Sequence, residues 1–144
     1  MSAGEPRKVR SDVEGDVNSL FLTLGAVSLL VGAVGIANVT LVSVLERVGE
    51  IGLRRALGAA RRHIAAQFLM ESTALGLLGG VLGASLGTLV IVGVSFAREW
   101  TPVLDASLPL AAPLLGALVG LLAGVYPSMR AASLEPVDAL RSGM

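Results

Sequence analysis

Three stretches without a single charged side chain organise the chain: residues 18–45, 72–97 and 108–129. At about 1.5 Å per residue they reach roughly 42, 39 and 33 Å as helices, against a hydrocarbon core of about 30 Å. Each is long enough to cross a bilayer, and the first has length to spare for tilting or for continuing beyond the membrane. One such run could be a buried helix of a soluble core, but three leave too little polar sequence to cover that core. The pattern predicts an all-α integral membrane protein with three transmembrane helices.

Polar segments punctuate the runs. Residues 1–17 form a mixed-charge N-terminal tail, 46–71 a long connector, 98–107 a short loop and 130–144 a C-terminal tail. The 46–71 connector carries Arg47, Arg54, Arg55, Arg61 and Arg62 against Glu46, Glu50 and Glu71, whereas the 98–107 loop has one arginine and two acids. Arginine excess marks the cytoplasmic side. The expected topology is multi-pass in the cell membrane, with the N-terminal tail and the 98–107 loop outside and the connector and C-terminus in the cytoplasm. Trp100 and Pro102 suit an interfacial turn. Pro109 suits a first helical turn, Pro113 a kink, and Tyr126-Pro127 a bend or an end to the third helix.

Composition agrees with the pattern. Hydrophobic residues make up 53% and charged residues 15%, where a soluble domain carries about 25% charged. Mean hydropathy is +0.77. Basic and acidic residues balance at 11 each, so no nucleic-acid partner is expected, and without cysteine there is no disulfide or thiolate metal site. The N-terminus does not read as a signal peptide, because the apolar run behind it is too long.

Glycines recur at four-residue spacing. Gly79, Gly83 and Gly87 form one triplet, Gly116, Gly120 and Gly124 another, and Gly76 and Gly80 a further pair. Such spacing places a smooth groove on one helix face and lets backbones approach closely. Both triplets are candidate packing faces, against a neighbour in this chain or in another subunit.

The connector has its own pattern. Leu53, Leu57, Ala60, Ile64 and Phe68 follow a helical spacing, with Arg47, Glu50, Arg54 and Arg61 on another face. Gly49, Gly52 and Gly58 interrupt it, so short helices joined by a bend near Gly58-Ala59 are expected, the later part running into the second span. An amphipathic element of this kind suits either an interface rich in anionic lipid or a docking surface for a cytosolic partner.

The segments ERVGEIGLRRALGA, LLGGVLGASLG and GVYPSMRAASLEPVDALR, in this order and spacing, resemble the C-terminal membrane region of FtsX-like/MacB-type permeases, membrane subunits of a class of ABC transporters. The resemblance covers nearly everything after about residue 20. It implies that the loop at 46–58 contacts a cytosolic ABC ATPase, through Glu46, Arg47, Glu50, Ile51, Gly52, Arg54, Leu57 and Gly58. It also implies a short cytoplasmic C-terminal helix begun by Pro136, with Leu140 among its apolar contacts. A usual member begins with a membrane helix and a sizeable extracytoplasmic domain, whereas 17 residues precede the first span here. The chain is similar to the last three helices of a four-helix subunit, as a fragment or as one part of a split permease. Expected partners are therefore the ATPase, a second permease copy or a complementary chain with the first helix and outer domain, and membrane lipids.

Catalytic chemistry is not expected. The phosphate-loop pattern ending in Gly-Lys-Ser/Thr is absent and Lys8 is the only lysine, so ATP is expected to bind the partner and no cofactor this chain. His63 has no metal-ligand cluster around it, and the serines have no base partner in the pattern. The expected function is to couple ATP hydrolysis by the partner to export or to mechanical work outside the membrane. Two other functions stand beside it: a pore-lining subunit for lipid or peptide, or a truncated structural or regulatory membrane protein.

Overall fold

The computed structural model describes residues 5–99, 101 and 107–134; Trp100, Pro102, Pro136 and Leu140 lie outside them. The described residues form four helices: α1 (Glu5–Glu46), α2 (Val48–Ala56), α3 (Arg61–Ala97) and α4 (Ser107–Ser133). Three of them, over Lys8–Glu46, Arg61–Ala97 and Ser107–Ser133, are long and apolar enough to cross a membrane. The chain is an all-α membrane protein with three candidate spans. In hydrocarbon no water is available to the backbone, so helix formation satisfies its N–H and C=O groups and the many glycines are tolerated.

The chain divides into two units, Met1–Gly32 and Ala33–Met144. The first holds the N-terminal part of α1, which is helical from Glu5, well before the uncharged run begins. Arg10 and Glu14 pair there at 3.0 Å across one turn, and Thr23 and Ser28 donate to the Ser19 and Leu24 carbonyls at 2.8 Å.

In the second unit α3 and α4 run antiparallel along a glycine seam. Ser72, Gly76 and Gly80 on α3 meet Gly124, Gly120, Gly116 and Ala112 on α4 in descending order. A Cβ added to Gly76 would lie 2.9 Å from Gly120 Cα, and one added to Gly80 would lie 2.7 Å from Pro113 Cα. Backbone therefore rests on backbone, as small residues at four-residue spacing allow. At the end of the seam the Ser72 side chain fills the space over Gly124.

Helix α4 continues through Pro113 and Pro127, so Tyr126-Pro127 does not end it. Pro127 is fully buried, and Ser128, Ala131 and Ala132 beyond it are buried too. Packing against neighbouring helices holds the turns on either side of a proline that removes one backbone donor.

Beyond the seam, at the arginine-rich end, packing changes character. Val44 of α1, Ile51 of α2, Ile64 and Phe68 of α3 and Ala131 of α4 form a buried cluster, with Leu134 against it. Phe68 is its largest member and only 1% exposed. Thr40, one turn before Val44, is also buried, its hydroxyl donating to the Ile36 carbonyl at 2.8 Å.

Candidate functional site

The block at 46–58 folds as the end of α1, a break and the nine-residue helix α2. Arg47 sits in the break: its amide donates to the Val44 carbonyl at 3.2 Å and its carbonyl accepts from the Ile51 amide at 2.9 Å. At the far end Gly58 has φ +94°. Its amide donates to the Arg55 carbonyl at 3.1 Å, and the Ala59 amide to the Arg54 carbonyl at 2.9 Å. This pair of reverse bonds is a Schellman motif, with glycine at the left-handed position where a Cβ is disfavoured. It ends α2, and α3 starts from extended backbone at Ala60.

That stop breaks the stripe read from the sequence. Ile64 and Phe68 are buried, but Leu53 and Leu57 are exposed, Leu57 by 81%. Helical phase does not carry through a left-handed residue. In α2 the inward positions are Ile51 and Gly52; Ile51, 4% exposed, docks the helix on the Phe68 cluster. Glu46, Arg47, Glu50, Arg54, Leu57 and Gly58 are exposed. The outer face of α2 thus offers two leucines among charged groups.

One polar network ties α2 to α3. Arg54 forms an ion pair with Glu50 and donates from Nη1 to Gln67 Oε1 at 2.9 Å. Glu50 and Arg54 are each about half exposed (53% and 49%), so the pair orients more than it stabilises. Gln67 has no apolar or charge signature and was not among the residues singled out from sequence; its role shows only once α2 folds back on α3. Arg55 lies partly inward, Nη1 donating to the Ala59 carbonyl at 3.1 Å and Nε buried without a partner among the described residues. Between the two helices, a gap of about 10 Å³ lined by Glu50, Ile51, Arg54, Gln67 and Phe68 is barely one water in size. The gap holds no larger ligand, and the exposed face of α2 is open to another molecule.

The glycines divide by contact. Gly116, Gly120 and Gly124 face α3, and their partners are Gly76, Gly80 and Ser72. Gly79, Gly83 and Gly87 have open space where a Cβ would stand. Ser72-x₃-Gly76-x₃-Gly80 is itself a small-residue series, and counting the serine would have made it the third triplet.

Several hydroxyls within the spans are turned inward on their own helices. Thr73, Ser85, Thr88 and Ser128 donate to carbonyls three or four residues earlier at 2.7–2.8 Å. Among the described residues no group of three metal-ligating side chains gathers.

Comparison with known proteins extends the picture. The model of the FtsX-like permease C-terminal family matches residues 22–136. The macrolide export ATP-binding/permease protein MacB of Rhodopirellula baltica is 44% identical over 137 residues, 95% of this chain and 20% of that protein. MacB of Bdellovibrio bacteriovorus is 41% identical over 138 residues, 91% of this chain and 21% of its own length. The uncharacterized ABC transporter permease YknZ of Bacillus subtilis is 39% identical over 131 residues, 88% of this chain and 33% of its own. The chain thus spans about a fifth of the length of the MacB relatives it matches.

Proposed function

The chain belongs to the FtsX-like permease family, and from that premise we propose that it is the membrane component of an ABC transporter that couples ATP hydrolysis by a separate cytosolic ATPase to export or to mechanical work outside the membrane. The chain itself is non-catalytic in this scheme. The N-terminus lies outside, and the arginine-rich end and C-terminus lie in the cytoplasm, as the charge distribution favours. A second permease copy, or a chain with a further helix and an outer domain, completes the assembly.

The exposed face of α2 carries this proposal. Ile51 anchors the helix to the cluster formed by Val44, Ile64, Phe68 and Ala131. Leu53 and Leu57 point away from it, flanked by Arg47, Glu50 and Arg54. Apolar side chains that insert into a partner, ringed by charges that set its orientation, suit a protein contact. Any displacement of α2 bears directly on α3 and α4 through the buried side chains. MacB, called an ATP-binding/permease protein, joins both parts in one chain with which this one partly aligns, which supports an ATP-binding partner for this region but not its being a separate chain. The lack of any charged residue in the runs 18–45, 72–97 and 108–129 favours a mechanical role over a polar pore within this chain.

Affinity purification from native membranes tests the proposal. An ABC ATPase is expected to co-purify. Leu57→Asp combined with Glu50→Lys should abolish its recovery and its stimulation, while insertion into the membrane is unchanged. Equal recovery and equal ATPase stimulation in the double variant would refute the contact.

A further inference from the structure

A second feature of the arginine-rich end lies on α3 and α4, away from the outer face of α2. Arg61, Arg62 and Ala65 of α3 face Met129, Ala132 and Ser133 of α4 across an open groove of about 320 Å³. Its chemistry is divided: two guanidinium groups at one end and an apolar floor of Ala65, Met129 and Ala132. No acidic residue lines it among the described residues.

Arg61 and Arg62 differ from Arg54 and Arg55, the two arginines of α2. Arg54 is bound to Glu50 and Gln67, and Arg55 to a backbone carbonyl. Among the described residues Arg61 and Arg62 are exposed and in no ion pair. The Ser133 hydroxyl is committed to the Arg130 carbonyl at 2.8 Å, so the two arginines are the donors available to a ligand. Two adjacent guanidinium groups match a phosphate, which each can hold through paired N–H donors.

Depth narrows the choice of anion. Met129 is the last residue of the uncharged run 108–129, and Arg130 follows it. The groove therefore sits where the apolar part of the bundle ends, at headgroup level. Further along α3, at helical spacing from Arg62 and Ala65, come Ala66, Leu69, Thr73 and Leu77. With Leu121 they line an apolar trough of about 460 Å³. A free phosphate needs the arginines alone; a lipid uses the arginines, the floor and the trough.

We propose that this groove seats an anionic phospholipid, its phosphate on Arg61 and Arg62 and its acyl chain along the α3–α4 trough. The site is separate from the α2 surface, so it stands whether or not α2 meets an ATPase. Bound there, the lipid would fix the α3 end of the α2–α3 bend against the membrane.

The test uses the full chain in detergent, with native mass spectrometry of bound dioleoylphosphatidylglycerol and dioleoylphosphatidylcholine. Phosphatidylglycerol should bind the wild type more tightly. Arg61→Gln with Arg62→Gln should lower that affinity about thirty-fold, or about 2 kcal/mol, at about 1 kcal/mol per arginine. Phosphatidylcholine binding should not change, and Arg98→Gln, at the opposite end of α3, should leave both lipids unaffected. Ala65→Trp fills the floor while keeping both charges and should also abolish the preference, with helicity checked by circular dichroism. Equal binding of the two lipids by the wild type would overturn the site. So would an undiminished preference in the arginine variant, or in a folded Ala65→Trp chain. Complete displacement of the lipid by millimolar inorganic phosphate would show a simple anion site instead.

Discussion

Helices α3 and α4 are held together twice, in opposite ways. Along the spans, Gly76 and Gly80 meet Gly116 and Gly120 with almost no side chain between the backbones. At the arginine-rich end the same two helices are joined by Phe68, Ile64 and Ala131, with Val44 and Ile51 from α1 and α2 closing the cluster. Within lipid there is little to gain by hiding apolar surface from a solvent equally apolar, so contact depends on van der Waals fit between closely placed backbones. At the arginine-rich end, where the uncharged runs stop and water reaches the bundle, burial of apolar side chains adds the usual hydrophobic term. The seam is thus vulnerable to added atoms and the cluster to lost ones.

That contrast is broken most severely at Phe68. Phe68→Ala removes the largest side chain of the cluster and should cost about 3–5 kcal/mol; denaturant unfolding followed by circular dichroism measures it. A loss under 1 kcal/mol would mean the cluster collapses freely and does not hold α2. The reverse operation belongs to the seam. Gly120→Ala adds one methyl where Gly76 Cα lies 3.0 Å away, and should cost about 1–3 kcal/mol through forced separation of the helices. Gly79→Ala, on the open face, should be neutral or stabilise by up to about 1 kcal/mol, because alanine is the better helix former. If both glycines respond alike, contact across the seam does not matter and the seam explanation fails. A partner helix on the Gly79 face would make Gly79→Ala costly in the assembled complex alone. Only a small loss is expected at Arg54→Met, which cuts both the Glu50 ion pair and the Gln67 hydrogen bond. Stability should fall by only about 0.5 kcal/mol, since both charges are half exposed.

The two regions were not equally legible in the sequence. Uncharged runs of 22 residues or more are read directly as spans, because bilayer thickness sets their length. The bend at Gly58 was legible too, since glycine is the residue suited to the left-handed position that ends α2. The inward face of α2 was not. A stripe drawn through Leu53, Leu57, Ile64 and Phe68 assumes one continuous phase, and the bend removes that phase, leaving Ile51 as the anchor. Glycine spacing likewise marks possible grooves without choosing among them. Gly76 and Gly79 lie only about 60° apart around α3, and only the register with α4 decides which one closes. Gln67 and Ala131 carry no pattern of their own; their parts depend on chain segments tens of residues away.

The position of the seam along α3 has a geometric consequence. Its 37 residues form one rod, roughly 55 Å long, with no proline in it. The glycine pair of α3 that meets α4, Gly76 and Gly80, is centred near residue 78, almost at the rod's midpoint. Residues 61 and 97 are then about 26 and 29 Å from that point. A fulcrum so placed gives arms of nearly equal length, so a tilt about it swings the two ends through similar distances in opposite directions. Smooth surfaces without interlocking side chains suit a pivot, and the bulky packing lies out at one end of the lever, where a small push has the greatest torque.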